Sequence, residues 1–248
     1  VDELISTYPI LKKCIKKFVG SYEFINCRDR WCLYIEDDVL YKVKDIPPIV
    51  LRLNKIREIR SESTEKSTRK MAEFPHKFYF TSYKHSDVII IPATSSENRE
   101  YIPIGFLDEN TVVSNSAYAI YDAAFWTFGV LTAKMHMVWV RTVGGKLKTD
   151  YRYSSQLIYN TFPFPTISPQ KKAEIEEAAE NVLVTREFYP DKTLADLYDP
   201  DKMPQDLRDA HAQLDEIVES CYPGYPFAND EARLECLFKL YEKMTKKN

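Results

Sequence analysis

The chain of 248 residues is short of glycine and histidine and has no long apolar run, and each shortage excludes a class of function. No glycine-rich loop follows a strand candidate. Gly144-Gly145 stands alone and fits neither the dinucleotide fingerprint nor the P-loop. There is no Gly-x-Ser-x-Gly elbow. His76, His85, His136 and His211 are scattered, without the His-Glu-x-x-His spacing of a zinc protease. His136, between Met135 and Met137, reads as a packing residue rather than a ligand. Pro190-Asp191 and Pro200-Asp201 are not followed by the Glu-x-Lys that a metal-dependent nuclease of that type needs, so both read as turn starters. The 5 cysteines, Cys14, Cys27, Cys32, Cys221 and Cys236, are odd in number and lack CxxC spacing. Reduced thiols in a cytoplasmic protein are expected, not a disulfide framework or a zinc site. No apolar stretch approaches the roughly 18 residues needed to cross a bilayer, so no membrane partner is expected. Val1-Asp2-Glu3-Leu4 has no signal-peptide character and no initiator Met, so a fragment or a processed chain is expected. No catalytic residue, metal ligand set or cofactor site is expected in this stretch.

What is present is an uneven distribution of charge. The net charge of −3 divides into +4 before Thr166 and −7 from Thr166 onward. A mildly basic front is compatible with a polyanion, and the acidic tail is not. Asn160-Thr161-Phe162-Pro163-Phe164-Pro165-Thr166-Ile167-Ser168-Pro169 marks the boundary, because proline at that density disfavours both helix and central strand. Two domains are therefore expected, 1–165 and 166–248. Ser168 reads as an N-cap with Pro169 at the first helical position, and helices are expected over 169–188, 204–220 and 229–245. The front reads as mixed. Helices are expected over Leu4–Phe18, from Pro47-Pro48 onward, and over Ala124–Val138. Strands are expected at 31–35, 77–82, 87–92, 101–106, 111–114, 117–121, 147–153 and 156–160. The fold class expected is α+β, a mixed domain followed by a small helical one.

The remaining equipment is for binding. The helix opened by Pro47-Pro48 carries Arg52, Lys55, Arg57, Arg60, Lys66, Arg69 and Lys70 on its outer face, suited to phosphates or simply to water. The run Val143 to Ser154 joins the glycine pair to a charged, aromatic, strand-like stretch. If it is extended, Lys148 and Asp150 leave one face side by side. Such a pair can meet guanine's acceptors and accept from cytosine's amino group, or can equally be a surface ion pair. Ser114-Asn115-Ser116 and Ser95 to Arg99 read as base-touching loops or as ordinary turns.

Several runs together resemble one family. They are Gly20-Ser21-Tyr22-Glu23-Phe24-Ile25-Asn26, Arg30-Trp31-Cys32-Leu33, Ile91 through Leu107, Phe128 through Arg141, Gly144 through Ser154, and Tyr159 through Pro165. Leu194 through Pro200 and Met203-Pro204 extend the match into the tail. In these the chain resembles the C-terminal half of the MmeI-like restriction-modification enzymes and their methyltransferase relatives. The resemblance implies a DNA target recognition domain followed by a C-terminal helical domain. It implies double-stranded DNA as partner and, upstream in the same chain, a methyltransferase domain that uses S-adenosylmethionine to modify adenine. In many relatives a nuclease lies there too. It implies base reading near Lys148 and Asp150 and near Asn115 and Ser116. Arg99, Arg141 and Arg152, with Arg57 and Arg60 on the basic helix, are weaker candidates for backbone or base contact. The competing expectation is a scaffold whose acidic helical tail docks onto those other domains.

Overall fold

The computed structural model describes residues 1–80 and 82–246. In chain order the elements are α1 (Asp2–Thr7), a 3-10 turn at Pro9–Lys13, β1 (Ile15–Val19), α2 (Ser21–Ile25), β2 (Trp31–Leu33), α3 (Asp37–Val43), α4 (Pro47–Ser61) and α5 (Lys66–Lys70). There follow β3 (Val88–Pro92), β4 (Thr94–Ser95), β5 (Gly105–Leu107), β6 (Thr111–Val113), β7 (Ala117–Tyr121), α6 (Phe125–Thr132) and α7 (Lys134–Val143). The chain ends with β8 (Gly145–Leu147), β9 (Asp150–Arg152), α8 (Pro169–Glu187), α9 (Leu194–Leu197), α10 (Gln205–Glu219) and α11 (Asp230–Thr245). The class is α+β with a helical C-terminal part, as expected.

Several local expectations fail for identifiable reasons. The helix expected over Leu4–Phe18 ends at Thr7, because Pro9 cannot continue it. Ile15–Val19 becomes strand β1 and pairs antiparallel with β2, Ile15 against Leu33 and Lys17 against Trp31. Of the strand expected at 77–82, residues 77–80 and 82 are turn, bend or irregular, and Thr81 lies outside the described residues. The run Ala124–Val138 breaks at Ala133, whose ψ of 161° is extended, into α6 and α7. Residues 156–160 form turns leading into a 3-10 turn at Tyr159–Thr161 rather than a strand. Strand 101–106 shortens to β5.

The chain divides into two compact units. The first comprises 1–18, 29–85 and 110–112. Its core is Leu11, Cys14, Ile35, Val43, Ile49 and Leu53, so α4 is held by Ile49 and Leu53 while Leu51 and Ile59 stay exposed. Arg60 is not free on that helix. Its guanidinium donates to the carbonyls of Met71 (3.0 Å), Phe74 (2.9 Å) and Lys77 (2.7 Å), tying the segment after α5 to α4.

The second unit comprises 19–28, 86–109 and 113–248. Its centre is β3, a Val-Ile-Ile-Ile-Pro run buried throughout, which lies between β5 and β7. Burial on both faces explains why this strand is continuously apolar instead of alternating. One contiguous core continues from Ile89 and Ile91 through Phe128, Met135 and Trp139 to Ile175, Val182, Leu207, Leu214 and Leu237. The helices after Pro165 therefore share a core with the sheet before it. Gly129 permits the closest approach: a Cβ there would stand 2.5 Å from Ile175 Cγ2, so α6 and α8 pack backbone to side chain. Ser168 caps α8, its Oγ accepting the Lys171 N–H at 3.2 Å, with Pro169 at the first helical position.

Candidate nucleic-acid interface

A three-stranded sheet of order β4-β9-β8 carries the Lys148/Asp150 region in the second unit. β8 and β9 form a hairpin in which Leu147 pairs with Asp150 and Gly145 with Arg152. The connection is therefore the two residues Lys148 and Thr149, and Lys148 takes a φ of +58°. Such short hairpin loops need a left-handed residue to follow the strand twist, and glycine or asparagine normally supplies it. Neither is present here, which is why the sequence reads as one continuous strand. The single extended face proposed for Lys148 and Asp150 does not exist. Lys148 projects from the turn and Asp150 opens the second strand.

Strand alternation places Asp150 and Arg152 on one face with Leu147, and Tyr151 with Lys146 and Ser95 on the other. The second face is knitted together: the Lys146 ammonium lies 3.5 Å from the Glu97 carboxylate and 6.0 Å from the Tyr151 ring centroid. β9 is anchored from behind by β4 and by the Tyr153 N–H, which donates to the Ala93 carbonyl at 2.9 Å. Tyr153 is buried and its hydroxyl meets His136 Nε2 at 3.1 Å. His136 Nδ1 faces the Leu131 carbonyl at 2.7 Å, so Nδ1 carries the proton and Nε2 accepts from Tyr153. Burial pushes the His136 imidazole down to about 4, which keeps it neutral in this position.

The turn Ser114-Asn115-Ser116 is held by the chain entering α2. Ser21 Oγ accepts the Ala93 N–H at 2.9 Å and donates to the Ser116 carbonyl in a short contact. The Ser21 N–H donates to Ser116 Oγ at 3.2 Å, and Ser116 Oγ also meets Ser114 Oγ at 2.9 Å. The Ser116 hydroxyl is thus engaged in fastening the turn, whereas Asn115 is exposed and makes no hydrogen bond with another described residue. Gly20 makes the approach possible, because a Cβ there would fall 2.1 Å from Ser116 Oγ.

The arginines divide by what they touch. Arg141 donates to the Glu100 carbonyl at 3.0 Å and faces Asp230 at 3.7 Å. Arg57 donates to Asn54 Oδ1 at 2.8 Å, one turn away on α4. Arg152 is exposed and has no carboxylate within 4.0 Å among the described residues. Arg99 is half-buried at the end of the turn after β4, where its N–H closes onto the Ser96 carbonyl at 3.2 Å. Burial lowers its pKa, and the charges of Asp150 and Asp199 pull it back up.

The segment carrying Arg99 is fixed by side chains that sequence reading passed over. Glu100 takes Arg208 at 3.1 Å and Lys134 at 3.8 Å. Tyr101 donates to Asp215 at 2.7 Å, and Arg186 donates to the Ile104 carbonyl at 2.7 Å. Arg208 and Asp215 belong to α10 and Arg186 to α8. No local pattern could reveal them, since the partners lie 82 to 114 residues apart. Among the described residues no group of three or more His, Cys, Asp and Glu is arranged to hold a metal ion.

Comparison with known proteins places these elements. Residues 1–166 match the MmeI target recognition domain and residues 167–247 match the MmeI C-terminal domain. DNA methyltransferase A of Bacillus subtilis (strain 168) is 46% identical over 245 residues, covering 99% of this chain and 28% of that protein. The solved structure of the Type IIL restriction-modification enzyme MmeI in complex with DNA superposes with a TM-score of 0.92 at 42% identity, covering 99% of this chain and 33% of that one. The chain thus spans about a third or less of the length of these relatives.

Proposed function

The chain belongs to the MmeI family, and from that premise we propose that it is the DNA-reading part of a DNA modification methyltransferase. The observation that carries the reading is the hairpin tip. The side chains of Lys148 and Asp150 have no hydrogen-bond or ion-pair partner among the described residues, and they stand on a sheet held rigidly by β4, Tyr153 and His136. Unpartnered polar groups on a rigid support can exchange water for base edges without first breaking internal bonds. Asn115, exposed on a turn clamped by Ser21, is a second reader, and Asn suits the paired donor and acceptor of adenine. Ser116 acts by fastening that turn. Arg152, exposed beside Asp150 on β9, serves either backbone or base. In the first unit, 16 basic against 11 acidic residues provide a salt-sensitive attraction to phosphates.

In this reading double-stranded DNA is the partner, and the chemistry belongs to an upstream S-adenosylmethionine-dependent domain of the same cytoplasmic protein. No helix among the described residues is long and apolar enough to cross a membrane. Val184 on α8 and Phe188, which caps its C-terminal end, are both exposed and favour a second role in which the helical part also docks against another domain. The test is selection of duplexes from a randomised pool by the full-length protein at about 50 and 200 mM salt. A defined enriched sequence and an affinity that falls steeply with salt are expected. Salt-independent binding, or no enriched sequence, would overturn the reading.

A further inference from the structure

In the sheet of order β2-β1-β6, β2 is an edge strand. The Tyr34 N–H donates to the Cys14 carbonyl at 2.7 Å and the Phe18 N–H to the Arg30 carbonyl at 2.8 Å. With Lys16 opposite Cys32 between them, these are the hydrogen-bonded pairs of the antiparallel ladder. Trp31 and Leu33 alternate with them, so their N–H and C=O groups point away from β1. Among the described residues none of these four groups has a hydrogen-bond partner. Trp31-Cys32-Leu33 also carries neither the lysine nor the proline that commonly blunts an open edge.

A cavity of about 400 Å³ lies beside this edge, within the first unit. The register places Ile15, Trp31 and Leu33 on one face of the sheet and Lys16, Phe18, Cys32 and Tyr34 on the other. Phe78 packs on the second face, its ring centroid 5.9 Å from those of Phe18 and Tyr34. The cavity touches Trp31 and Leu33 and also Phe78, so it wraps around the edge instead of lying under one face. That is the space an added strand would fill. Ile56 and Ile59 of α4 line it, and the same helix sets Arg52 and Lys55 beside it. Both cations are exposed, and among the described residues neither has a hydrogen-bond or ion-pair partner.

The outward peptide groups call for extended backbone, the apolar lining for alternate apolar side chains, and Arg52 with Lys55 for carboxylates. A phosphate would use the two cations and leave the lining and the peptide groups unsatisfied. Trp31 and Leu33 alone are too little for stable association with a separate protein, which takes on the order of 1,000 Å² of contact. A segment joined to the same chain needs no such area, because tethering already holds it at a high effective concentration. The relatives compared above have about two-thirds or more of their length outside the part that this chain covers, so a tethered partner is at hand.

We propose that the β2 edge is completed by an extended, acidic and apolar segment of the methyltransferase domain of the same polypeptide, which pairs with Trp31 and Leu33 and sets carboxylates against Arg52 and Lys55. The proposal rests on the reading above that such a domain is present.

Residue-resolved hydrogen exchange of the full-length protein would follow Trp31, Cys32 and Leu33 in the wild type and in the double variant Arg52→Glu, Lys55→Glu. In the wild type Trp31 and Leu33 should exchange within about tenfold of Cys32, whose N–H is already bonded to Lys16. In the variant they should exchange at least about tenfold faster, with Cys32 and Leu53 unchanged. A carbodiimide, which joins lysine amines to carboxylates with loss of water, should link Lys55 of the wild type to an Asp or Glu outside residues 1–248. A mixture of isotope-labelled and unlabelled protein should give no link between the two. Fast exchange at Trp31 and Leu33 in the wild type would show an open edge and overturn the proposal. Links between labelled and unlabelled molecules would put a second copy on the edge and overturn it as well. If the double variant also loosens Cys32 and Leu53, the wild-type cross-link decides alone. A full-length protein that transfers no methyl group to DNA would overturn the underlying reading instead, and that assay is independent of the exchange data.

Discussion

Tyr101 donates its hydroxyl to the Asp215 carboxylate at 2.7 Å across 114 residues of sequence, inside the core shared by β3 and the C-terminal helices. The other oxygen of Asp215 accepts the Lys134 N–H at 2.6 Å, and the Tyr101 ring stacks on His211 with centroids 4.1 Å apart. Burial pushes the Asp215 carboxyl up to about 6, more than these hydrogen bonds and the Lys134 charge pull it down.

That displacement has a consequence for pH. The folded value lies above the ordinary 3.8, so the folded chain holds more protons between about pH 4 and 6. The contribution of Asp215 is therefore greatest below about pH 4 and is lost as pH rises through about 6, by about 3 kcal/mol. His136 runs the opposite way: with its value near 4 against the ordinary 6.5, its contribution is lost as pH falls. Asp215→Asn removes the first effect and leaves the second. Urea unfolding of both proteins from pH 4 to 7.5 should show the variant gaining on the wild type by about 2–3 kcal/mol as pH rises. A difference that does not vary with pH would contradict this account of Asp215.

Lys148 occupies the left-handed region at φ +58°, a conformation that strains any side chain. Lys148→Gly should leave thermal stability unchanged or raise it by up to about 1 kcal/mol. The same variant should bind the selected duplex more weakly, because the ammonium is gone. Stability and DNA affinity would then move in opposite directions; a destabilised variant would mean that the side chain packs in some way the structure does not contain.

Gly20→Ala puts a methyl group 2.1 Å from Ser116 Oγ and 2.3 Å from Ser114 Oγ, so the 114–116 turn must move. A loss of about 1–3 kcal/mol is expected, as for other overpacked sites. Because Asn115 rides on that turn, discrimination at the position it reads should fall as well. Retained selectivity in a folded Gly20→Ala protein would argue against Asn115 as a reader.

Arg186 is buried without a carboxylate within 4.0 Å among the described residues. Its Nε donates to the Tyr198 hydroxyl at 2.7 Å, its Nη1 donates to the Ile104 carbonyl, and its guanidinium lies 5.0 Å from the Tyr198 ring centroid. Tyr198 then donates onward to His211 Nε2 at 2.8 Å. A lysine keeps the charge but cannot reproduce the forked, planar contact. Arg186→Lys should therefore lower unfolding stability by about 2–4 kcal/mol despite charge conservation, read from urea midpoints. A near-neutral result would show that charge alone suffices at this position.

Much of the architecture was legible where local rules and burial agree. Ser168 with Pro169 announced α8, and the apolar run within 87–92 announced the strand that becomes β3. The ordered family motifs announced the recognition domain. Local rules misread Ile15–Val19, whose helical spacing lost to pairing with Trp31–Leu33, and the run from Ala124 to Val138, which breaks at Ala133. Neither outcome depends on neighbours in sequence alone.

The amino-acid sequence by itself determined the class of fold, the family and the inventory of side chains able to meet DNA, because composition, capping and motif order are properties of the chain. Tertiary structure decided which of those side chains are available and what stands beside them. Lys148 and Asp150 began as neighbours on a presumed strand and became a turn residue and a strand residue, since the Leu147–Asp150 pairing closes a hairpin that no glycine advertises. Arg99 gained its place from α10, through Glu100 and Tyr101, because partners more than 100 residues away satisfy groups that water would otherwise hold.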